Sequence, residues 1–185
     1  YKSSELVSSW REQYRKPVVL DEICYEGDIQ HGWGNISGEE LVRRFWEASL
    51  RGGYPGHGET YLHHHGLLWW SHGGKLYGDS YLRFAFLLNI LKQTPGIGLK
   101  QSGRCAWDEV CAEPEEERYN GHYYLYYYSF MQPSFREYRL NEEEQYDVYV
   151  IDTWQMTRTH AGVFSGAFRL TLPAKPYMAV QIIKV

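Results

Sequence analysis

Several scarcities in this sequence narrow what it can be. Cysteine is rare and odd in number, with Cys24, Cys105 and Cys111. Their spacing supplies neither a disulfide framework nor a CxxC metal knuckle, so three reduced, structural thiols are expected. Charge is close to balanced, at a formal net of -4, which argues against a nucleic-acid partner because a polyanion needs a basic surface. No apolar run approaches the ~18 residues of a membrane span, so no membrane partner is expected. No secretory leader is visible, which favours a cytoplasmic location, although a chain that begins inside a larger protein would hide one. HExxH is absent, and no metal or other cofactor is expected.

Aromatic residues, in contrast, are abundant, at 17% of the chain with 17 Tyr and 7 Trp. Two explanations fit this excess. The apolar face of a pyranose packs on an aromatic ring, so sugar-binding surfaces are rich in them. An aromatic β-sandwich core would be as well.

The chain changes character along its length. Residues 3–15 carry Leu6, Val7, Trp10 and Tyr14 at helical spacing, with Ser3 or Ser4 as cap. Pro17 ends that helix, and a short strand over 18–23 follows. After a loop rich in Gly, Trp and His, Ser37 and Glu40 form a capping box for a helix to about residue 51, stopped by Gly52 and Gly53. Residues 54–61 are a second strand candidate, and residues 80–93 form a helix apolar nearly all round, which must be covered on several sides. Residues 94–117, with Pro95, nearby glycines and an acidic run, have the composition of a linker. Beyond it the period becomes two. Strands are expected over 119–131, 135–140, 146–152, 155–160, 163–172 and 177–185, with turns at 132–134, 141–145, 161–162 and 173–176.

Three parts follow: an α/β part over residues 1–93, a linker over 94–117, and a small antiparallel β-sandwich over 118–185. In the first part, two strands joined through a helix must run parallel. A parallel pair buries too little to stand alone. The expected fold class is therefore α/β plus all-β: the last βαβα units of a truncated (β/α)8 barrel, then the sandwich. The surface exposed by an incomplete barrel would pair the fragment as a homodimer.

Chemistry concentrates at the first strand. The run KPVVLDEICYEGD brings an apolar strand directly into Asp21 and Glu22, with Glu26 and Asp28 beyond. A carboxylate at a strand end sits at the rim where barrel enzymes do their chemistry. Glu22 could attack an anomeric carbon opposite a second, protonated carboxyl, or simply pair with a cation at a sheet end. His57 and Glu59 follow the second strand and fit either sugar hydroxyls or structural pairing. Trp33, Trp69 and Trp70 occupy rim loops, as sugar-stacking rings or as packing beneath those loops. Five of the eight histidines lie between His57 and His72. Three consecutive histidines cannot converge on one ion without a sharp turn, so metal binding is not expected.

The run RKPVVLDEICYEG resembles the penultimate-strand motif of bacterial apiosidase-like glycoside hydrolases. LVRRFWEASLRGGYPGHGETY resembles their next helix and His-Gly strand, and LWWSHGGKLYGDS their last rim loop. YLYYYSFMQPS, YDVYVIDTW and LPAKPYMAVQI resemble the small β-sandwich appended to many of them. The resemblance covers nearly the whole chain. It implies the C-terminal portion of such an enzyme, a carbohydrate substrate, Glu22 as nucleophile at the end of barrel strand seven, and Glu26 as a supporting acid. Relatives often carry Gly and Pro where this chain has Asp21 and Ile23, which keeps Glu26 in contention with Glu22. The general acid of such enzymes follows barrel strand four, which no segment here supplies, so the isolated chain is expected to be inactive. The alternative function is a carbohydrate-binding module without catalysis, using sandwich tyrosines or loop tryptophans.

Overall fold

The computed structural model describes residues 3–62 and 75–185. The chain divides into two compact units, Tyr1–Leu88 and Asn89–Val185.

In the first unit, helix α1 (Ser3–Tyr14) precedes the short strand β1 (Val19–Leu20). Ser4 lies inside α1 rather than at its cap, and its hydroxyl donates to Glu47 at 3.4 Å. Strand β2 (Glu26–Gly27) and helix α2 (Gly38–Leu50) follow. Ser37 caps α2 as its sequence predicts, accepting from the Glu40 amide at 3.2 Å. The reciprocal half of the capping box is replaced. The Glu40 carboxylate instead binds Arg43 at 2.6 Å and Arg44 at 2.7 Å. Leu41, Val42, Phe45, Trp46, Ala48 and Leu50 turn inward from α2 and meet Val7, Leu20 and Ile23 in the buried set. This is the broad apolar stripe expected of a helix packed on one side.

Strands β3 (Tyr54–Pro55) and β4 (Glu59–Thr60) lead towards α3 (Ser80–Leu91). The β1–β3 pair is parallel, in register at Val19↔Tyr54 and Leu20↔Pro55, as a strand-helix-strand connection requires. The β2–β4 pair is parallel too, with Glu26 opposite Glu59. The single strand expected over 54–61 is thus two strands in two different pairs. Helix α3 is less covered than its composition suggested: Leu87 is buried, but Tyr81, Leu82 and Leu88 are exposed.

The second unit is all antiparallel. Strands β5 (Leu99–Gln101), β6 (Val110–Pro114), β7 (Tyr123–Tyr127), β9 (Tyr146–Asp152), β10 (Thr157–Phe164) and β12 (Met178–Lys184) form one six-stranded sheet, ordered β10-β9-β12-β7-β6-β5. Strands β8 (Phe135–Arg139) and β11 (Ala167–Thr171) pair as a separate ribbon. Tyr138 and Leu170 of the ribbon join Tyr124, Tyr126, Val148, Val180 and Ile182 of the sheet in one buried cluster. The layers are therefore unequal, with the ribbon covering one face of the sheet.

Two expectations are corrected here. Residues 94–117 are not a linker, because β5 and β6 within them form a hairpin of the large sheet. Pro, Gly and acidic residues serve a hairpin turn as readily as a linker, so composition does not separate the two. Ala161-Gly162 is not a turn either. Strand β10 runs through it, with a register shift between His160 and Gly162, and Gly162 takes φ 140°. Glycine there allows an extra residue in the ladder, a β-bulge, rather than a reversal.

The tyrosine strand is closed on both sides. Tyr123, Leu125, Tyr127 and the following Tyr128 are fully buried, and Tyr124 and Tyr126 nearly so. No face of β7 is open as a glycan platform. Gln181 on β12 is also fully buried and fully engaged, accepting from Arg158 at 2.7 Å and donating to the Tyr123 hydroxyl at 3.1 Å and to Gln93 at 3.2 Å.

Ile182 is fully buried on the ribbon side of a central strand. We expect Ile182→Ala to destabilise the protein by about 3 kcal/mol, seen as a lower urea midpoint with an unchanged slope.

Candidate functional site

Parallel pairing places the C-terminal ends of β1 and β3 on the same side. The chain leaving β1 carries Asp21 and Glu22, and the chain leaving β3 carries Gly56 and His57. The Gly56 amide donates to the Leu20 carbonyl at 2.8 Å, which holds these two exits side by side.

Glu22 is exposed and shares a hydrogen bond with the Tyr25 hydroxyl. Burial, that hydrogen bond and the negative charge nearby push the Tyr25 pKa up to about 12. Tyr25 therefore stays protonated and donates to the carboxylate. Its ring stands edge-on to Trp33, with centroids 6.1 Å apart, and Trp33 stacks on His31 at 6.0 Å. The Tyr25 amide donates to the Trp33 carbonyl at 2.8 Å, closing the loop that carries these rings. From the other side, Arg44 of α2 donates to the Ile23 carbonyl at 2.9 Å. Trp33 keeps 37% of its surface exposed beside the Glu22–Tyr25 pair.

Glu26 and Glu59 do something different. They face each other across the β2–β4 pair, and both are buried. Glu59 accepts from the amides of Tyr77 at 2.7 Å and Gly78 at 3.1 Å. Glu26 accepts from the next two amides, Asp79 at 3.0 Å and Ser80 at 3.1 Å. It also accepts from the Ser80 hydroxyl at 2.5 Å and the Tyr61 hydroxyl at 3.2 Å. Each Glu26 oxygen thus accepts two hydrogen bonds, the full capacity of a carboxylate. The resemblance implies Glu26 as a supporting acid at the site, but no lone pair is left for a substrate hydroxyl. Burial alone would raise the Glu26 pKa, but its hydrogen bonds from Ser80, Asp79 and Tyr61 outweigh that and hold it below its ordinary value. Burial and the adjacent Glu26 keep the Tyr61 phenol protonated.

His57 borders the same cluster. Its Nε2 lies 3.4 Å from the Ser80 hydroxyl, and its ring packs on Phe84 of α3 with centroids 5.0 Å apart. Burial lowers its pKa against the pull of Glu59 and Glu26, which favours the neutral ring.

Residues 107–183 match a family described only as a domain of unknown function, DUF5605. No curated protein matches the chain. A protein of Bacteroides vulgatus described as a "putative glycoside hydrolase" superposes with a TM-score of 0.83 at 27% identity, over 98% of this chain and 39% of that one. A family 5 glycoside hydrolase of the same organism superposes with a TM-score of 0.65 at 15% identity, over 96% of this chain and 45% of that one. This chain's structural neighbours are glycoside hydrolases. It spans less than half the length of each of these two.

Among the residues singled out from sequence, Glu22 and Trp33 gather around Tyr25, which also lies over Gly58. Glu26, Glu59 and His57 gather around Ser80 and the segment before α3. Trp69 and Trp70 lie outside the described residues, as do four of the five clustered histidines. Sequence reasoning missed Tyr25, Tyr61 and Ser80 as functional partners. Tyr25 carries a local signal, three residues after an exposed acid. Ser80 and Tyr61 carry none, because their bonds to Glu26 span 54 and 35 residues.

A methyl group at Gly78 would fall 2.3 Å from the Glu26 carboxyl. Gly78→Ala should therefore cost about 1–3 kcal/mol in thermal or urea unfolding. A carboxyl whose folded pKa is depressed contributes stability above its unfolded pKa, and that contribution is lost as pH falls through the folded one. Unfolding midpoints taken between about pH 7 and pH 3 should accordingly fall less steeply for Glu26→Gln than for the unaltered chain.

Proposed function

We propose that this chain carries the nucleophile side of a glycoside hydrolase active site, of the apiosidase-like type, with Glu22 as the nucleophile. One observation carries this choice. Of the three glutamates near the strand ends, Glu26 and Glu59 are buried and occupied in holding backbone amides, whereas Glu22 is exposed and is bonded by a protonated tyrosine. A nucleophile must be an open carboxylate, and a donor such as Tyr25 orients it. Asp21 is exposed as well. The resemblance of the strand motif and the Tyr25 contact favour its neighbour.

In this reading Glu22 attacks the anomeric carbon of a bound sugar and displaces the leaving group. Water then hydrolyses the glycosyl ester, which is the retaining course. Trp33 offers its exposed face to the sugar ring, and neutral His57 offers a hydrogen bond to a hydroxyl. Protonation of the leaving group needs a second carboxyl about 5 Å from the first. We assign that acid to a strand beyond this chain.

The rest of a barrel is proposed on physical grounds. Parallel strands are ordinarily covered on both faces, yet Val19 and Tyr54 of the β1–β3 pair are 61% and 63% exposed. Further βα units of a (β/α)8 barrel would cover them. The 98% coverage of this chain against 39% of the longer Bacteroides protein supports the same arrangement.

In a protein that joins this chain to such units, Glu22→Gln should lower kcat by at least about a thousandfold on an aryl glycoside, with an unchanged unfolding midpoint. Near-normal turnover by that variant would exclude Glu22 as the nucleophile.

A further inference from the structure

The two cysteines of the second unit, far apart in role by any sequence rule, meet in space. Cys105 lies in the loop between β5 and β6, and Cys111 is the second residue of β6. The Cys111 amide donates to Cys105 Sγ at 2.9 Å, and the Cys105 thiol donates to the Cys111 carbonyl at 3.1 Å. The loop is folded back to make this contact: the Ser102 amide donates to the Cys111 carbonyl at 2.8 Å, and the Cys105 amide to the Ser102 carbonyl at 3.4 Å.

Their exposures differ in a useful way. Cys111 is fully buried in the sandwich core, whereas Cys105 is only half-buried. Cys24, in the first unit, is buried. The Cys111 hydrogen bonds pull the Cys105 pKa down to about 7 against its partial burial. The same contact, with burial, holds the Cys111 thiol far up. One sulfur is reachable and readily ionised, and the other waits behind it. That is the layout of an attacking and a resolving thiol.

We propose that Cys105 and Cys111 are a thiol–disulfide exchange site that closes to an intrachain disulfide in response to low-molecular-weight disulfides such as oxidised glutathione. The Cys105 thiolate attacks one sulfur of the oxidant, whose S–S bond breaks and releases one glutathione thiolate, leaving a mixed disulfide on Cys105. The negative charge beside Cys111 is then gone. Cys111 loses its proton to solvent, attacks Cys105 Sγ, and expels the second glutathione thiolate. Two protein thiols are oxidised, one glutathione disulfide is reduced to two thiols, and no other reactant is needed. The bond fastens the loop bearing Trp107, which is 89% exposed, to β6. The same loop already binds the ribbon through Asp108 and Arg136 at 2.5 Å.

Both cysteines fall in one tryptic peptide, residues 105–118, which makes the test direct. The reduced 185-residue chain is held in glutathione buffers of increasing oxidation, quenched with acid and digested without reduction. The 105–118 peptide should lose the mass of two hydrogens, and dithiothreitol should restore it. Cys111→Ala should instead accumulate a glutathione adduct at Cys105, and Cys105→Ala should leave Cys111 unmodified. A persistent Cys105 adduct in the unaltered chain, linkage between two chains, modification of Cys111 first, or unchanged thiols at high oxidised glutathione would each overturn the proposal.

Discussion

Two buried glutamates in register, Glu26 and Glu59, set the geometry on which the first unit depends. Like charges on adjacent strands repel, and burial strengthens the repulsion. The structure offsets it with four successive backbone amides, those of Tyr77, Gly78, Asp79 and Ser80, shared two to each carboxylate. These amides lead into α3, where unsatisfied N–H groups and the helix dipole favour negative charge. The arrangement solves two problems at once, since neither the carboxylates nor the amides would tolerate burial alone. It also fixes where α3 begins, and with it Phe84 and the ring of His57.

That constraint divides the labour among the acids of the strand ends. Once Glu26 and Glu59 hold the scaffold, Glu22 is the glutamate still facing solvent, steadied by Tyr25. The support runs outward: α2 grips the Ile23 carbonyl through Arg44, Ile23 is fully buried, and Tyr25 is fixed by its backbone bond to Trp33. The same sequence segment therefore supplies both a structural acid and an exposed one, four positions apart.

The second unit follows a different logic. Its large sheet buries tyrosines on both faces of β7, so the aromatic excess here serves packing rather than a sugar platform. The phenol groups meet partners inside: Tyr123 with Gln181, and Tyr128 with Tyr138. Local patterning made the antiparallel strands legible, and β9 runs over the residues its alternation predicts. The β5–β6 hairpin was not legible, because three and five residues flanked by Gly and Pro carry too little periodicity to distinguish a strand from a linker. Gly162 misled for the same reason, since a turn and a bulge ask the same thing of a residue.

By itself the sequence determined the helices and the Ser37 cap, the parallel sense of β1 and β3, most of the antiparallel strands, and the placing of Glu22 just beyond a strand end. These rest on neighbours within a turn or a strand, where side-chain period and capping chemistry act. Tertiary structure decided which glutamate stays open, because the bonds that occupy Glu26 come from residues 35 to 54 positions away. It also decided that the supposed linker belongs to a sheet and that Cys105 and Cys111 touch. Each of these depends on chain segments brought together by folding, and no local pattern in the sequence records that meeting.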